Sequence, residues 1–184
     1  PADRTTLTEV LESGLTRVRA LLASEVAPDR VDISLAEVAA AAGAAAPGAT
    51  AATLAPHEPD GGHTIDVQVA PDLIATGSRS ETEETVRQML AYSIGRCSEG
   101  EPSIRGQRDG DRAVLWVEDR GPDISPRQRR AILDPDRRPP RRSGGVTPLH
   151  IAIRLTREQG GEVRIEARPG GGAAFGVSLP VPRA

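Results

Sequence analysis

The chain has 184 residues, of which 38% are hydrophobic and 27% charged, so it can bury one real core as one ordinary domain or one domain with a helical appendage. A formal net charge of −3 gives no global attraction to nucleic acid or anionic lipid, and three aromatics (Tyr92, Trp116 and Phe175) are too few for a base-stacking platform. There is no Lys and no Asn: all 23 basic residues are Arg, which excludes lysine-dependent phosphate loops, Schiff bases and the kinase strand lysine, and any mechanism built on an Asn side chain.

A single Cys, Cys97, allows no intrachain disulfide and no Cys-cluster metal site. His57, His63 and His150 lack metal-ligand spacing, so no metal site is expected. The longest apolar stretch, 35–46, is mostly Ala and contains Glu37 and Gly43, so it cannot span a bilayer. No signal peptide is visible. The chain starts at Pro1 without Met, which raises the expectation that it is a fragment of something longer.

Residues 5–26 read as an amphipathic helix, with Leu7, Val10, Leu11, Leu15, Val18, Leu22 and Val26 on one stripe and Pro28 ending it. Residues 1–28 are expected to form a helix or linker able to dimerise. Asp32 or Ser34 can cap a second helix from Leu35 to about Ala45, whose Ala content suits close packing. Residues 64–70 alternate Ile65, Val67 and Val69, the pattern of a half-buried strand. Ser80 or Thr82 then opens a helix running to about Cys97 with Val86, Met89, Leu90 and Ile94 on one face. Strands are expected over 103–108 and 113–118, joined at Asp109-Gly110, a strong hairpin signal. Residues 126–133 read as a short helix, 134–145 as a Pro-, Arg- and Gly-rich loop, and 147–159 as a helix ended by Gly160-Gly161. Strands over 162–167 and 173–181 close the chain. The order implies an α/β sandwich, a mixed and mostly antiparallel sheet with helices on one face.

The run Val117-Glu118-Asp119-Arg120-Gly121-Pro122-Asp123-Ile124 resembles the Asp-x-Gly-x-Gly-Ile motif of the ATP-binding domain of sensor histidine kinases, the wider family that includes the gyrase, Hsp90 and MutL ATPases. The resemblance continues through 127–135, 144–155, Gly160-Gly161-Glu162-Val163 and 172–180, with 85–100 in the place of the helix that carries the family's Asn box. It covers residues 30–182 and implies the Bergerat-type ATPase fold. It also implies that Asp119 accepts a hydrogen bond from the adenine amine and that Gly121 lets the backbone turn against the base. The nucleotide-binding positions carried over are Gln88, Tyr92, Asp119, Gly121, Ile124, Gly145, Thr147 and Leu149.

The departures fall on the phosphates and the metal. Asp123 replaces the second Gly of the first motif and is expected to put a negative side chain where phosphates approach. The second glycine motif becomes Val146-Thr147-Pro148-Leu149-His150-Ile151, which loses three glycines and, at Pro148, a backbone N–H. Gln88 and Tyr92 stand where the family has two Asn residues, one of which ligates Mg²⁺. Gln88 also takes the place of the ATPase branch's general base, while Glu83 and Glu84 are expected on other helix faces. The Phe box, 133–136, has no Phe. No His lies on the helix over 5–26, so the phosphoacceptor of a histidine kinase is absent from this chain.

Arg127, Arg129, Arg130, Arg137, Arg138, Arg141 and Arg142 crowd the segment where the family has its lid over ATP, and Arg137, Arg138, Arg141 and Arg142 are candidate anion contacts. Three readings follow. The first is a cytoplasmic signalling module with a degenerate pocket, a pseudokinase that binds ATP weakly or not at all, needs no cofactor, and works through a protein partner and self-association over residues 5–26. The second is the active ATP- and Mg²⁺-binding part of a sensor kinase, cytoplasmic or attached to a membrane through a longer chain, with its His elsewhere. The third, disfavoured, is an anion- or nucleic-acid-binding module using the Arg loop.

Overall fold

The computed structural model describes residues 30–45, 49–50, 63–97, 100–134, 148–168 and 170–183. The expected helix over 5–26, most of the expected loop over 134–145, and the lid arginines Arg137, Arg138, Arg141 and Arg142 lie outside the described residues, as do Gly145 and Thr147.

The described elements run β1 (Val31–Ser34), α1 (Leu35–Ala44), β2 (Ala49–Thr50), β3 (His63–Thr64), β4 (Asp66–Gln68), β5 (Ile74–Gly77), α2 (Arg79–Ile94), β6 (Ser103–Asp109), β7 (Arg112–Glu118), α3 (Pro126–Leu133), α4 (Pro148–Glu158), β8 (Glu162–Ala167) and β9 (Ala173–Pro180). The main sheet has the order β4-β6-β7-β9-β8, with β4 parallel to β6 and every other pair antiparallel. This is the expected mixed, mostly antiparallel α/β sandwich.

β7 lies at the centre and alternates its faces. Ala113, Leu115 and Val117 join the main core with Ile104, Phe175, Val177 and Leu179, and with Val38, Val86, Met89, Leu90, Leu149 and Ile153 from the helices. Val114 and Trp116 form a smaller buried cluster with Ala174. Helix α4 packs as expected through Leu149 and Ile153, while Ile151 is only half-buried.

Of the two residues expected to cap α1, Ser34 does so by accepting from the Glu37 N–H, whereas Asp32 accepts from Thr76 Oγ1 across a short β1–β5 pairing. Three expectations are corrected. Neither Ser80 nor Thr82 opens α2: the cap is Ser78, which has extended backbone and accepts from the Glu81 N–H. Its position is fixed by Gln159, fully buried, whose Oε1 accepts from the Ser78 N–H at 2.8 Å and from Thr82 Oγ1 at 3.1 Å. The last residue of α2 is Ile94, not Cys97, with Gly95 as its C-cap. The strand expected over 64–70 is two short pieces, and Val67 is exposed, because β4 is an edge strand of three residues paired only with β6.

The Asp109-Gly110 hairpin forms, with Gly110 at φ 61°, the left-handed region its lack of a side chain permits. Helix α3 begins with Pro126, which has no N–H to satisfy, and a reciprocal Ser125–Gln128 capping box pairs the N–H groups of Ser125 and Gln128 in a helix with no fully buried residue.

Candidate functional site

Asp119 follows β7 directly and is fully buried. Its backbone N–H donates to the Ala173 carbonyl at 2.8 Å. Its Oδ1 accepts from the N–H groups of Gly121 at 3.0 Å and Ala173 at 3.1 Å. Its Oδ2 accepts from Nε of Arg96 at 3.1 Å. Both carboxylate oxygens are therefore engaged by donors of the chain itself.

Arg96 follows the Gly95 C-cap, with its backbone N–H on the Ser93 carbonyl at 3.1 Å. Its side chain turns inward and is only 17% exposed. Beyond the bond to Asp119, a terminal nitrogen donates to the Pro122 carbonyl. The guanidinium carbon lies 5.6 Å from the Tyr92 ring centre and 5.8 Å from that of Phe175, within cation–π range of both. Those two rings meet edge to face, 5.4 Å apart at 84°. Tyr92 is one helical turn before Arg96, and Phe175 sits opposite Val117 in the β7–β9 register.

Two glycines allow the close approach. A Cβ on Gly121 would lie 3.0 Å from the Arg96 carbonyl oxygen, and one on Gly172, at φ 96°, would lie 2.1 Å from the Asp119 carbonyl oxygen. Asp123 does not project freely toward a ligand: its Oδ1 accepts from the Gly172 N–H at 2.9 Å, tying the β8–β9 turn to the segment after β7. Beside it is a cavity of about 490 Å³ lined by Arg120, Gly121, Pro122, Asp123, Arg168 and glycines 170–172.

Of the candidate residues, Tyr92, Asp119 and Gly121 come together around Arg96. Gln88 lies a turn earlier on α2, where its Nε2 donates to Glu84 Oε1 at 2.5 Å. Glu84 is thus on the same helix face as Gln88, a correction to the expectation, since residues four apart are neighbours on a helix. Glu83 instead pairs with Arg79 at 2.8 Å. Ile124 and Leu149 are buried in the main core. Among the described residues no group of three or more His, Cys, Asp and Glu could hold a metal ion. Arg96 was missed by the sequence reading. No local signal marks it: Arg96 lies just past the end of α2, and its partner Asp119 is 23 residues away.

A buried Asp at the end of the central strand of a mostly antiparallel sheet, with helices on one face and a glycine turn against its backbone, is the arrangement of a histidine-kinase-type ATPase domain. The comparisons agree. The family described as histidine kinase-, DNA gyrase B-, and HSP90-like ATPase matches residues 78–183, and the chain belongs to that family. It is 30% identical over 105 residues to the alginate biosynthesis sensor protein KinB of Pseudomonas aeruginosa, covering 56% of this chain and 18% of KinB. It is 30% identical over 133 residues to the sensor histidine kinase MtrB of Mycolicibacterium paratuberculosis, covering 67% of this chain and 23% of MtrB. The ATP-binding domain of PrrB from Mycobacterium tuberculosis superposes with a TM-score of 0.60 at 16% identity, covering 84% of this chain and 99% of that one, a likeness of fold. The chain spans about a fifth of the length of the curated relatives it matches. No helix among the described residues is long and apolar enough to cross a membrane.

Proposed function

We propose that this chain is a signalling module of a sensor-histidine-kinase-like protein whose nucleotide pocket has degenerated, so that it binds ATP weakly or not at all and works through a protein partner. The observation that carries this reading is the state of Asp119. A carboxylate that serves a base amine keeps acceptor capacity facing a pocket, and here donors of the chain take three of its roughly four acceptor sites, with Arg96 on the one oxygen the backbone leaves. The metal side points the same way. The chain has no Asn, and Gln88, in the aligned position, is engaged with Glu84. The residues present do not fit a Mg²⁺-nucleotide held as the family resemblance implies. Cytoplasmic location, a regulatory protein partner and dimerisation through residues 5–26 belong to the same proposal.

Calorimetric titration with ATP, with and without Mg²⁺, tests it. Each lost charge-assisted contact costs about 1.5–3 kcal/mol, so two or three losses remove most of a micromolar affinity. The expected Kd is no tighter than about 1 mM, or roughly −4 kcal/mol. Micromolar, Mg²⁺-dependent binding would overturn the reading in favour of the second one, the active ATP-binding part of a sensor kinase. That alternative is favoured by family membership and by the retention of Asp119 and Gly121 at the end of β7.

A further inference from the structure

We infer that Arg96 is the built-in occupant of the base-recognition position at Asp119, and that removing its side chain opens a site for a planar ring carrying an exocyclic amine. The inference rests on the degenerate-pocket reading and names the residue that closes the pocket.

The argument is one of donors and space. Asp119 is completely buried, and its two backbone bonds fall on one oxygen, Oδ1. Among the described residues Oδ2 has one partner, Arg96 Nε. A buried carboxylate oxygen without a donor is costly, so the position demands an N–H, and Arg96 supplies it from within the chain. The guanidinium is planar, lies near both Tyr92 and Phe175, and is held at its far end by the Pro122 carbonyl. A flat, N–H-bearing group between an acceptor and aromatic walls is what an aminopurine would also present. Arg96 and such a ring therefore compete for one place. The lost glycines and the missing Asn weaken only the phosphate and metal ends of a nucleotide. Arg96 blocks the base end, so adenosine, which has neither phosphate nor need of metal, is excluded as well.

The test is adenosine binding to the wild-type chain and to Arg96→Ala, by calorimetry or saturation-transfer NMR, with folding of each variant checked by circular dichroism. The expected result is at least about tenfold stronger binding to Arg96→Ala than to wild type, indifferent to Mg²⁺. Inosine, which has a carbonyl in place of the amine, should bind at least about tenfold more weakly than adenosine to the variant. Asp119→Asn on the Arg96→Ala background should abolish the gain. A folded Arg96→Ala that binds adenosine no better than wild type overturns the inference while leaving the degenerate-pocket reading standing. Micromolar, Mg²⁺-dependent ATP binding by the wild type overturns that reading itself. If Arg96→Ala does not fold, arginine modification of the wild type by a dicarbonyl reagent, mapped by peptide mass, decides. Arg96 should react more slowly than exposed Arg120, and equal rates overturn the inference.

Discussion

Asp119→Ala distinguishes an aspartate that serves a ligand from one that serves the fold. A carboxylate kept for a ligand is poorly satisfied without it, and its removal costs the free protein little or even stabilises it. Here Asp119 accepts three hydrogen bonds inside the chain at 3.0–3.1 Å. Truncation orphans the N–H groups of Gly121 and Ala173 and leaves Arg96, 17% exposed, without its counter-charge. Each orphaned buried donor costs about 1–3 kcal/mol, and breaking a buried ion pair by removing one partner costs about 3–5 kcal/mol. These overlap and do not add, so the expected loss is about 3–5 kcal/mol out of a total that is about 5–15 kcal/mol for a domain of this kind. Urea unfolding without nucleotide, followed by fluorescence of the lone Trp116, reads it directly. Asp119→Asn keeps one oxygen for the two backbone donors but faces Arg96 with an N–H, so it should fall between wild type and Asp119→Ala. A loss below about 1 kcal/mol for Asp119→Ala would refute the structural role, because no arrangement of three satisfied bonds to a fully buried carboxylate is that cheap to remove.

Three further outcomes are expected. Gly172→Ala should destabilise by about 2–4 kcal/mol in the same assay, because its Cβ would fall on the Asp119 carbonyl at a backbone angle side chains rarely adopt. Burial, with Glu158 nearby, holds the Glu81 carboxyl above its ordinary 4.5, against the opposing pull of Arg154 and Arg30. The folded state therefore binds that proton more tightly than the unfolded state, and the resulting stability is present below 4.5 and lost as pH rises through the folded value. Glu81→Gln should consequently gain urea resistance relative to wild type as pH rises above 4.5, and the two should show a constant difference below it. For oligomeric state, sedimentation of the intact chain and of one lacking residues 1–28 should give a dimer and a monomer, and equal monomer masses would rule out dimerisation through 5–26.

The fold was legible where hydrophobic pattern and turn chemistry agree. The segment 103–118 shows this: two apolar strands flank Asp109-Gly110, and the hairpin forms as the pattern predicts. Legibility failed where the deciding partner is distant in sequence. β1 and β5 are four residues each, and their pairing is decided across forty or more positions. The cap of α2 is Ser78 because Gln159 holds its N–H from 81 residues away, a contact that no local propensity contains. The site divides in the same way. Asp119 and Gly121 could be found because the requirement they meet, a carboxylate after a buried strand and a glycine two residues on, is local. Asp123 could be found but not interpreted, since its partner Gly172 is 49 residues downstream. Arg96 lies just past the end of α2, where no local pattern assigns it a role. Its meaning appears only when α2 and β7 are packed together and its Nε is seen on Asp119. The three bonds that Asp119 accepts inside the chain, one of them from Arg96, are what make Asp119→Ala a test of stability.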